Sequence, residues 1–255
     1  MKYAGKTDIG QKRRNNQDSF AVFTTGNCLC AVVCDGMGGA KGGNVASALA
    51  VKTFASNVKK QLSDLDFDGL DANTAGKILK TAVDKANNEV FLKAVGDDEL
   101  DGMGTTLVSV ICSGNTCFAV NIGDSRLYKQ SANGEFVQVS NDHSFVKYLV
   151  DRGEITPEQA AVHPNKNFIL RAVGVNEDVE GDYFIIRDFA RLLLCTDGLT
   201  NQVTDRFISD TIAPYSPSTG KFTSLKSRVD KLISAANDTG GSDNITAVLI
   251  ENDPE

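Results

Sequence analysis

Five aspartates stand at the ends of apolar segments that are typical of buried strands. They are Asp18, Asp35, Asp124, Asp197 and Asp243. Asp35 and Asp197 each terminate an unbroken apolar run, and each is followed by glycine. Carboxylates at the ends of core strands sit on rigid elements, where a site can be held in place. The alternative for each aspartate is that it only begins a turn or caps a helix.

If these carboxylates gather in the fold, they indicate a site for a hard cation. Several carboxylates close together repel one another unless a cation lies between them. A donor set of oxygens alone selects Mg²⁺, Mn²⁺ or Ca²⁺ over Zn²⁺ or Cu²⁺. The chain has only two histidines, which disfavours a histidine-rich metal site. The glycines that follow Asp35 would let a backbone carbonyl approach a metal ion closely.

The six cysteines favour core packing over chemistry. All six lie in apolar, strand-like stretches: Cys28, Cys30, Cys34, Cys112, Cys117 and Cys195. The spacing at positions 28–34 matches no common zinc pattern, and the sequence has no C-x-x-C. We therefore expect small buried hydrophobes, with a metal or redox role as the alternative.

The composition restricts the partners of this chain. It has 255 residues and a net charge of −7, so a fold-wide basic surface for nucleic acid is missing, and an anionic membrane would repel it. No apolar run approaches the roughly 20 residues that span a bilayer. The first 18 residues lack the apolar segment of a secretory signal. These observations predict a cytoplasmic monomer that binds neither nucleic acid nor membranes.

The apolar pattern predicts strands joined by short turns, and helices in clusters. We expect a hairpin of strands 18–24 and 28–34 in which Asp18 opens the first strand, and an antiparallel pair of strands 183–186 and 192–195. Other strands are predicted at 105–111, 117–122, 126–130, 136–139 and 245–250. Helices are predicted at 44–62, 75–95, 205–212 and 224–237. An acidic surface loop at 64–74 would join the first two helices.

This order favours an α+β architecture over a parallel βαβ fold. Successive strands linked by short turns form antiparallel sheets, and helices would pack outside them. No Pro-, Ser- or Gly-rich linker divides the sequence, so we expect one domain over residues 1–255. Residues 143–180 are the least regular part and are predicted to form a small subdomain.

Eight short motifs occur in an order that is typical of one enzyme family. They lie at residues 7–18, 33–39, 104–106, 121–126, 141–144, 170–174, 195–199 and 242–246. Any one of them alone is weak evidence, because Asp-Gly-x-Gly-Gly can be an ordinary loop. Together they cover nearly the whole chain, which resembles the metal-dependent protein phosphatases, the type 2C serine/threonine phosphatases, in their compact bacterial form.

The resemblance implies both a fold and a set of site residues. The fold would be a four-layer α-β-β-α sandwich, in which helices flank two central antiparallel sheets. Asp35 would bridge two Mn²⁺ or Mg²⁺ ions, with the Gly36 carbonyl on one ion and Asp197 and Asp243 on the other. The remaining roles would be Asp18 next to the metals or their water, Asp124 with Asp197 at a third, weaker metal, and Arg13 on the substrate phosphate. The stretch 143–180 would be the family's flap beside the active site.

The resemblance also implies a reaction and its substrates. Two metal ions would lower the pKa of a bridging water, and the resulting hydroxide would attack the phosphorus of phosphoserine or phosphothreonine without a phosphoenzyme. The partners would be phosphoproteins made by a Ser/Thr kinase. Met37 stands where many members have a histidine that protonates the leaving oxygen, and Ala40 and Asn44 also depart from the pattern. The identity of the general acid stays open, and His143 and His163 are expected to be structural.

Three alternatives remain at this point. Arg13 lies in Lys12-Arg13-Arg14, which could be only a solvated basic cluster. The chain could also be a binding module that recognises phosphoproteins without turnover, although Asp35, Asp197 and Asp243 are all retained. Finally, it could be a structural or regulatory domain that uses the same fold without catalysis.

Overall fold

The computed structural model describes residues 1–65, 70–216 and 221–252. The strands are β1 (Lys2–Asp8), β2 (Asp18–Thr25), β3 (Cys28–Met37), β4 (Gly104–Thr105), β5 (Leu107–Ser113), β6 (Thr116–Ile122), β7 (Arg126–Gln130), β8 (Phe136–Gln138), β9 (Asp182–Arg187), β10 (Arg191–Cys195), β11 (Tyr215–Ser216), β12 (Lys221–Phe222) and β13 (Ile245–Glu251). The helices are α1 (Gly39–Ser63), α2 (Ala72–Val95), α3 (Phe145–Asp151), α4 (Pro157–Ala161), α5 (Asp197–Thr200), α6 (Asp205–Ile212) and α7 (Leu225–Asp238), with a 3₁₀ turn at Asp98–Leu100.

Two antiparallel sheets form the centre of the molecule. One has the strand order β2-β3-β5-β6-β9, with β4 paired to β3, and the other has the order β1-β13-β10-β7-β8. Strand β3 is buried on both faces: Leu29 and Val33 pack between the sheets, while Val32 packs towards the helices α1 and α2. A continuous apolar run is what a strand buried on both faces requires.

A helical layer covers the outer face of each sheet. Helices α1 and α2 pack on the β2-β3-β5-β6 side, and α6 and α7 pack on the other sheet through residues such as Leu193, Leu232 and Leu249. The four-layer sandwich with two antiparallel sheets is thus confirmed. All six cysteines are buried and free, which confirms their prediction as core residues.

Most predicted elements are present, with shifted ends. The 44–62 helix begins earlier, at Gly39, and the 75–95 helix begins at Ala72, where the Asp71 carboxylate caps it by accepting from the N–H groups of Asn73 and Thr74. The predicted 105–111 strand divides into β4 and β5. The predicted acidic loop at 64–74 lies partly outside the described residues.

One predicted strand pair was wrong, and one strand was not predicted. Strands 183–186 and 192–195 do not pair: β9 pairs with β6, whereas β10 lies between β13 and β7 in the other sheet. The chain changes sheets at Asp188, whose φ is 54°, and a tight hairpin is therefore not formed. Asp18 opens β2, the first strand of the predicted hairpin, as expected, but β1 precedes that hairpin and pairs with β13 along its full length. The sequence of β1 is too polar to stand out as a strand, since it lies at a sheet edge.

The flap, residues 143–180, contains only the short helices α3 and α4. Thr156 and Gln159 form a reciprocal capping box at the start of α4, and Pro157 is the first residue of that helix. The prediction of a single domain stays a prediction. In the part of the chain that the structure describes, no helix is long and apolar enough to cross a membrane.

Candidate active site

The predicted site residues meet at one end of the sandwich. Asp18 lies directly opposite Asp35 in the β2–β3 pair, so both are at the same end of their sheet. Asp197 follows β10, and Asp243 shortly precedes β13, the neighbour of β10. A cavity of about 420 Å³ opens there, and its lining includes Arg13, Asp35, Gly36, Asp124, Asp197 and Asp243. Asp18 does not line this cavity.

The carboxylate of Asp18 is buried behind the site. Its Oδ2 accepts hydrogen bonds from Thr196 Oγ1 at 2.9 Å and from Thr246 Oγ1 at 2.7 Å. Its Oδ1 is buried without a hydrogen-bond partner. Burial, with a smaller contribution from the charges of Asp197 and Asp243, raises the pKa of Asp18 to about 7, although the two hydroxyl groups act in the opposite direction.

The backbone of Asp35 is fixed by two threonines of the neighbouring strand region. The Asp35 N–H donates to Thr106 Oγ1 at 2.8 Å, and the Asp35 carbonyl accepts from Thr105 Oγ1 at 2.8 Å. Burial raises the pKa of Asp35 well above its ordinary value, and the charges of Asp18 and Asp197 add to the effect. A carboxyl group held rigidly in this environment is stabilised in its neutral form until a cation is nearby.

The pKa values of Asp197 and Asp124 are also raised, in both cases mainly by burial. Burial and then the Asp243 charge raise the pKa of Asp197, while a hydrogen bond with Asp35 and the charge of Arg13 oppose this shift. Asp197 Oδ2 accepts from Asn201 Nδ2 at 3.0 Å, but its buried Oδ1 has no partner. Burial, followed by the charge of Asp197, raises the pKa of Asp124 to about 8.

Arg13 is paired with the metal-site candidate Asp243. Its Nη2 donates to Asp243 Oδ2 at 2.7 Å, and this hydrogen bond is the main reason that the pKa of Arg13 is raised. Asn244 holds the Arg13 loop on β13: its Nδ2 donates to the carbonyls of Ile9 and Asn15 at 2.9 and 3.0 Å. The guanidinium is half-exposed at the cavity, which places it in the site rather than in a remote basic cluster.

The backbone at Gly36 can accept only glycine. A Cβ there would lie 1.9 Å from the Gly43 carbonyl oxygen and 2.7 Å from that of Gln17. Gly38 has a φ of +125°, a conformation that L side chains rarely adopt. These two glycines let the chain after Asp35 turn sharply against α1 at the cavity.

Neither histidine lines the catalytic cavity, and a structural role for both stays a prediction. The His143 N–H donates to the Gly123 carbonyl at 3.0 Å, and its Nδ1 accepts from the Gly123 N–H at 3.1 Å. His143 Nε2 lies 3.2 Å from Asp182 Oδ2. His143 thus holds both backbone groups of Gly123, the residue before Asp124. His163 Nδ1 accepts a hydrogen bond from the nearby Asn165 N–H at 3.1 Å. Met37 is present in the cavity lining, and no histidine is among its described lining residues.

The donor chemistry fits a hard cation. Four carboxyl groups have raised pKa values, and two buried carboxylate oxygens, Asp18 Oδ1 and Asp197 Oδ1, lack a partner. Within residues 1–65, 70–216 and 221–252, no group of three or more Asp, Glu, His or Cys side chains is arranged so that it could hold a metal ion. Backbone and water oxygens would complete the coordination, as they do for Mg²⁺, which one or two carboxylates usually bind.

Several contacts in this site were missed from the sequence. Thr196 and Thr246 hold Asp18, and Asn244 holds the Arg13 loop, but no role was predicted for any of the three. Each lies one or three residues from a predicted aspartate, in a motif quoted above. Their position in those motifs is the signal that could have identified them.

Comparison with known proteins identifies the family. The model of the protein phosphatase 2C family matches residues 5–233. The serine/threonine phosphatase stp of Listeria welshimeri is 37% identical over 249 residues, which cover 96% of this chain and 94% of that protein.

Solved structures agree with this assignment. The crystal structure of the serine/threonine phosphatase Stp1 from Staphylococcus aureus has a TM-score of 0.85 and 32% identity, and it covers 99% of this chain and 95% of that one. The catalytic domain of the serine/threonine protein phosphatase PstP in complex with two manganese ions has a TM-score of 0.80 and 34% identity, and it covers 98% and 97% of the two chains. The chain therefore belongs to the protein phosphatase 2C family and is a protein-serine/threonine phosphatase.

Proposed function

We propose that this chain hydrolyses phosphoserine and phosphothreonine in proteins with the help of two Mn²⁺ or Mg²⁺ ions. The observation that carries the proposal is the group of buried carboxyl groups with raised pKa values and two unpartnered oxygens, placed at a cavity beside a guanidinium. When bound, the two ions would make a hydroxide available near neutral pH for direct attack on phosphorus, without a phosphoenzyme. The manganese ions of PstP, a relative of similar fold, support this choice of cation.

We assign the ligand roles to the chain as follows. Asp35 lines the cavity and would help to hold both ions, with Asp197, Asp243 and the Gly36 carbonyl as further ligands. Asp18 lies outside the cavity lining and would act through a water, because its unpartnered Oδ1 can accept a hydrogen bond from a water in the site. The Thr196 and Thr246 hydroxyls would keep that carboxylate oriented.

Arg13 would bind the substrate phosphate. A guanidinium fork matches two oxygens of a phosphate group, and the charge would also stabilise the transition state. In the structure Arg13 donates to Asp243, so the residue that would hold phosphate contacts a residue that would hold metal. Binding of a cation by Asp243 and of phosphate by Arg13 would then replace one ion pair by two.

Asp124 would serve the leaving group. With Asp197 it would hold a third, more weakly bound ion, because few protein ligands are available there. Its task would be to orient a water that protonates the leaving serine or threonine oxygen, a task that Met37 cannot perform.

The substrates would be phosphoproteins produced by a Ser/Thr kinase. The reducing cytoplasm, in which free cysteines are ordinary, remains the predicted compartment.

The proposal is tested with the full chain stripped of metal by a chelator. Phosphate release from a phosphothreonine peptide should be absent, should return with Mn²⁺ or Mg²⁺, and should disappear again with excess EDTA. Full activity in the stripped protein would contradict the proposal. Tight peptide binding without phosphate release, with metal present, would instead favour a binding module.

A further inference from the structure

The loop between β1 and β2 brings a second arginine to the catalytic cavity. The charged residues in the described lining of that cavity are Arg13, Arg14, Asp35, Asp124, Asp197 and Asp243. All of them except Arg14 have a task in the proposed reaction. Lys12, the third basic residue of this stretch, is exposed and is not part of that lining. Arg14 is thus a charged group of the cavity that the proposed reaction does not use.

The two arginines differ in their partners. Arg13 Nη2 donates to Asp243 Oδ2 at 2.7 Å. Arg14 is exposed, and within the described part of the chain its side chain has no hydrogen-bond or ion-pair partner. Its guanidinium therefore keeps all of its N–H donors for a ligand. Because an arginine side chain always carries a positive charge, the ligand that it favours is an anion.

The backbone on both sides of Arg14 is anchored to the residue before β13. Asn244 Nδ2 donates to the carbonyls of Ile9 and Asn15 at 2.9 and 3.0 Å. The Oδ1 atom of Asn244 accepts from the Gln17 N–H at 2.8 Å. A side chain on an anchored loop loses less conformational freedom on binding a ligand than one on a free loop. Arg14 can therefore act as part of a preformed subsite.

We propose that Arg14 binds an acidic side chain of the substrate next to the phosphorylated serine or threonine. The inference rests on the proposed function, which places the phosphate at Arg13, and consecutive Cα atoms are about 3.8 Å apart. Residues that flank the phosphorylated one then pass within reach of the Arg14 side chain. The aspartates of the cavity would repel an acidic side chain, so the attraction of Arg14 decides whether such a substrate is favoured.

The test compares phosphothreonine peptides that differ in one flanking charge. The reference peptide has glutamine at the three positions on each side, and glutamate, which has nearly the same shape, replaces each glutamine in turn. With the wild-type chain and Mn²⁺, glutamate at one position should raise kcat/KM about five-fold by lowering KM, the upper range for an exposed ion pair. The measured quantity is the ratio of kcat/KM between the glutamate and glutamine peptides. Any effect of a variant on the catalytic centre itself cancels in this ratio.

Variants of the loop locate the effect. Arg14→Ala should bring the ratio close to unity, and Arg14→Glu should reverse it, so that lysine at the same peptide position becomes favourable. Lys12→Ala and Lys12→Glu are the matched controls, because they change the net charge by the same amounts in the same loop, outside the cavity lining. Both should keep the wild-type ratio. If only the overall field of the protein attracted the peptide, the variants at the two positions would behave alike.

The outcomes distinguish the role of Arg14 from the reaction itself. A wild-type chain that hydrolyses the glutamate and glutamine peptides equally well would overturn the role of Arg14 and leave the proposed function intact. A fall in kcat/KM that is equal for both peptides in Arg14→Ala would place Arg14 on the phosphate instead, and would also overturn it. The same conclusion would follow if the Lys12 variants lowered the ratio as much as the Arg14 variants. Failure of the wild type to hydrolyse any peptide would refute the proposed function, and the role of Arg14 with it.

Discussion

Asp18→Asn should stabilise the metal-free protein, and more strongly at high pH. The pKa of Asp18 is raised from 3.8 to about 7 in the folded protein, mainly by burial. Between about pH 4 and pH 7 the folded state therefore binds more protons than the unfolded state, and the free energy of unfolding falls as the pH rises. The stabilisation that protonated Asp18 contributes is complete below the pKa of Asp18 in the unfolded state, 3.8. It is lost as the pH rises through the pKa of Asp18 in the folded state, about 7.

The size of the effect follows from the shift. One pKa unit corresponds to about 1.4 kcal/mol, so the penalty of Asp18 grows by roughly 2–3 kcal/mol from pH 5 to pH 8. Asparagine has no such titration, and its side-chain oxygen can still accept from Thr196 and Thr246. The difference in free energy of unfolding between Asp18→Asn and the wild type should therefore be roughly 2–3 kcal/mol larger at pH 8 than at pH 5.

The assay is urea unfolding of the metal-free proteins at pH 5 and pH 8, followed by circular dichroism. Asp84→Asn is the control, because Asp84 is an exposed residue of α2 that pairs with Lys80; its effect should stay within about 0.5 kcal/mol at both pH values. Mn²⁺ at pH 8 should stabilise the wild type more than Asp18→Asn. An equal difference between variant and wild type at pH 5 and pH 8 would refute the reasoning.

Substitutions at four further positions test the catalytic assignments by steady-state kinetics with saturating Mn²⁺. Asp35→Asn should lower turnover at least about 10³-fold, and near-normal turnover would contradict its central role. Arg13→Ala should raise KM for a phosphopeptide more than it lowers kcat, and a fall in kcat alone would assign it another task. Asp124→Ala should reduce phosphopeptide turnover about 10²-fold but affect p-nitrophenyl phosphate less, whereas equal losses would reject the role in leaving-group protonation. His143→Leu removes the acceptor for the Gly123 N–H and should cause a smaller loss of the same kind, which His143→Asn should partly restore; identical behaviour of the two His143 variants would show that the acceptor is not what matters.

The sandwich and most of the site could be predicted because their signals are local. Strands buried on both faces give unbroken apolar runs, and β3 and β10 are of this kind. Asp35 and Asp197 end those runs, so their meeting at one end of the sandwich follows once the two sheets pack together.

The features that escaped prediction depend on contacts distant in sequence. β1 is a polar edge strand whose existence depends on its pairing with β13, more than 200 residues later. The change of sheet at Asp188 leaves no apolar signal, since β9 and β10 are both ordinary strands taken alone. Thr196 and Thr246 meet Asp18 only after three segments of the chain have come together.

The most direct test of the central claim is a calorimetric titration of Mn²⁺ into the metal-free chain near pH 7, in buffers of different ionisation enthalpy. The account predicts two tightly bound ions and a release of protons, because burial raises the pKa values of Asp35 and Asp197, and these carboxyl groups must lose their protons to bind the cations. In Asp35→Asn, tight binding should be lost. Binding without proton release, or unchanged stoichiometry and affinity in Asp35→Asn, would contradict the claim that these buried carboxylates form the metal site.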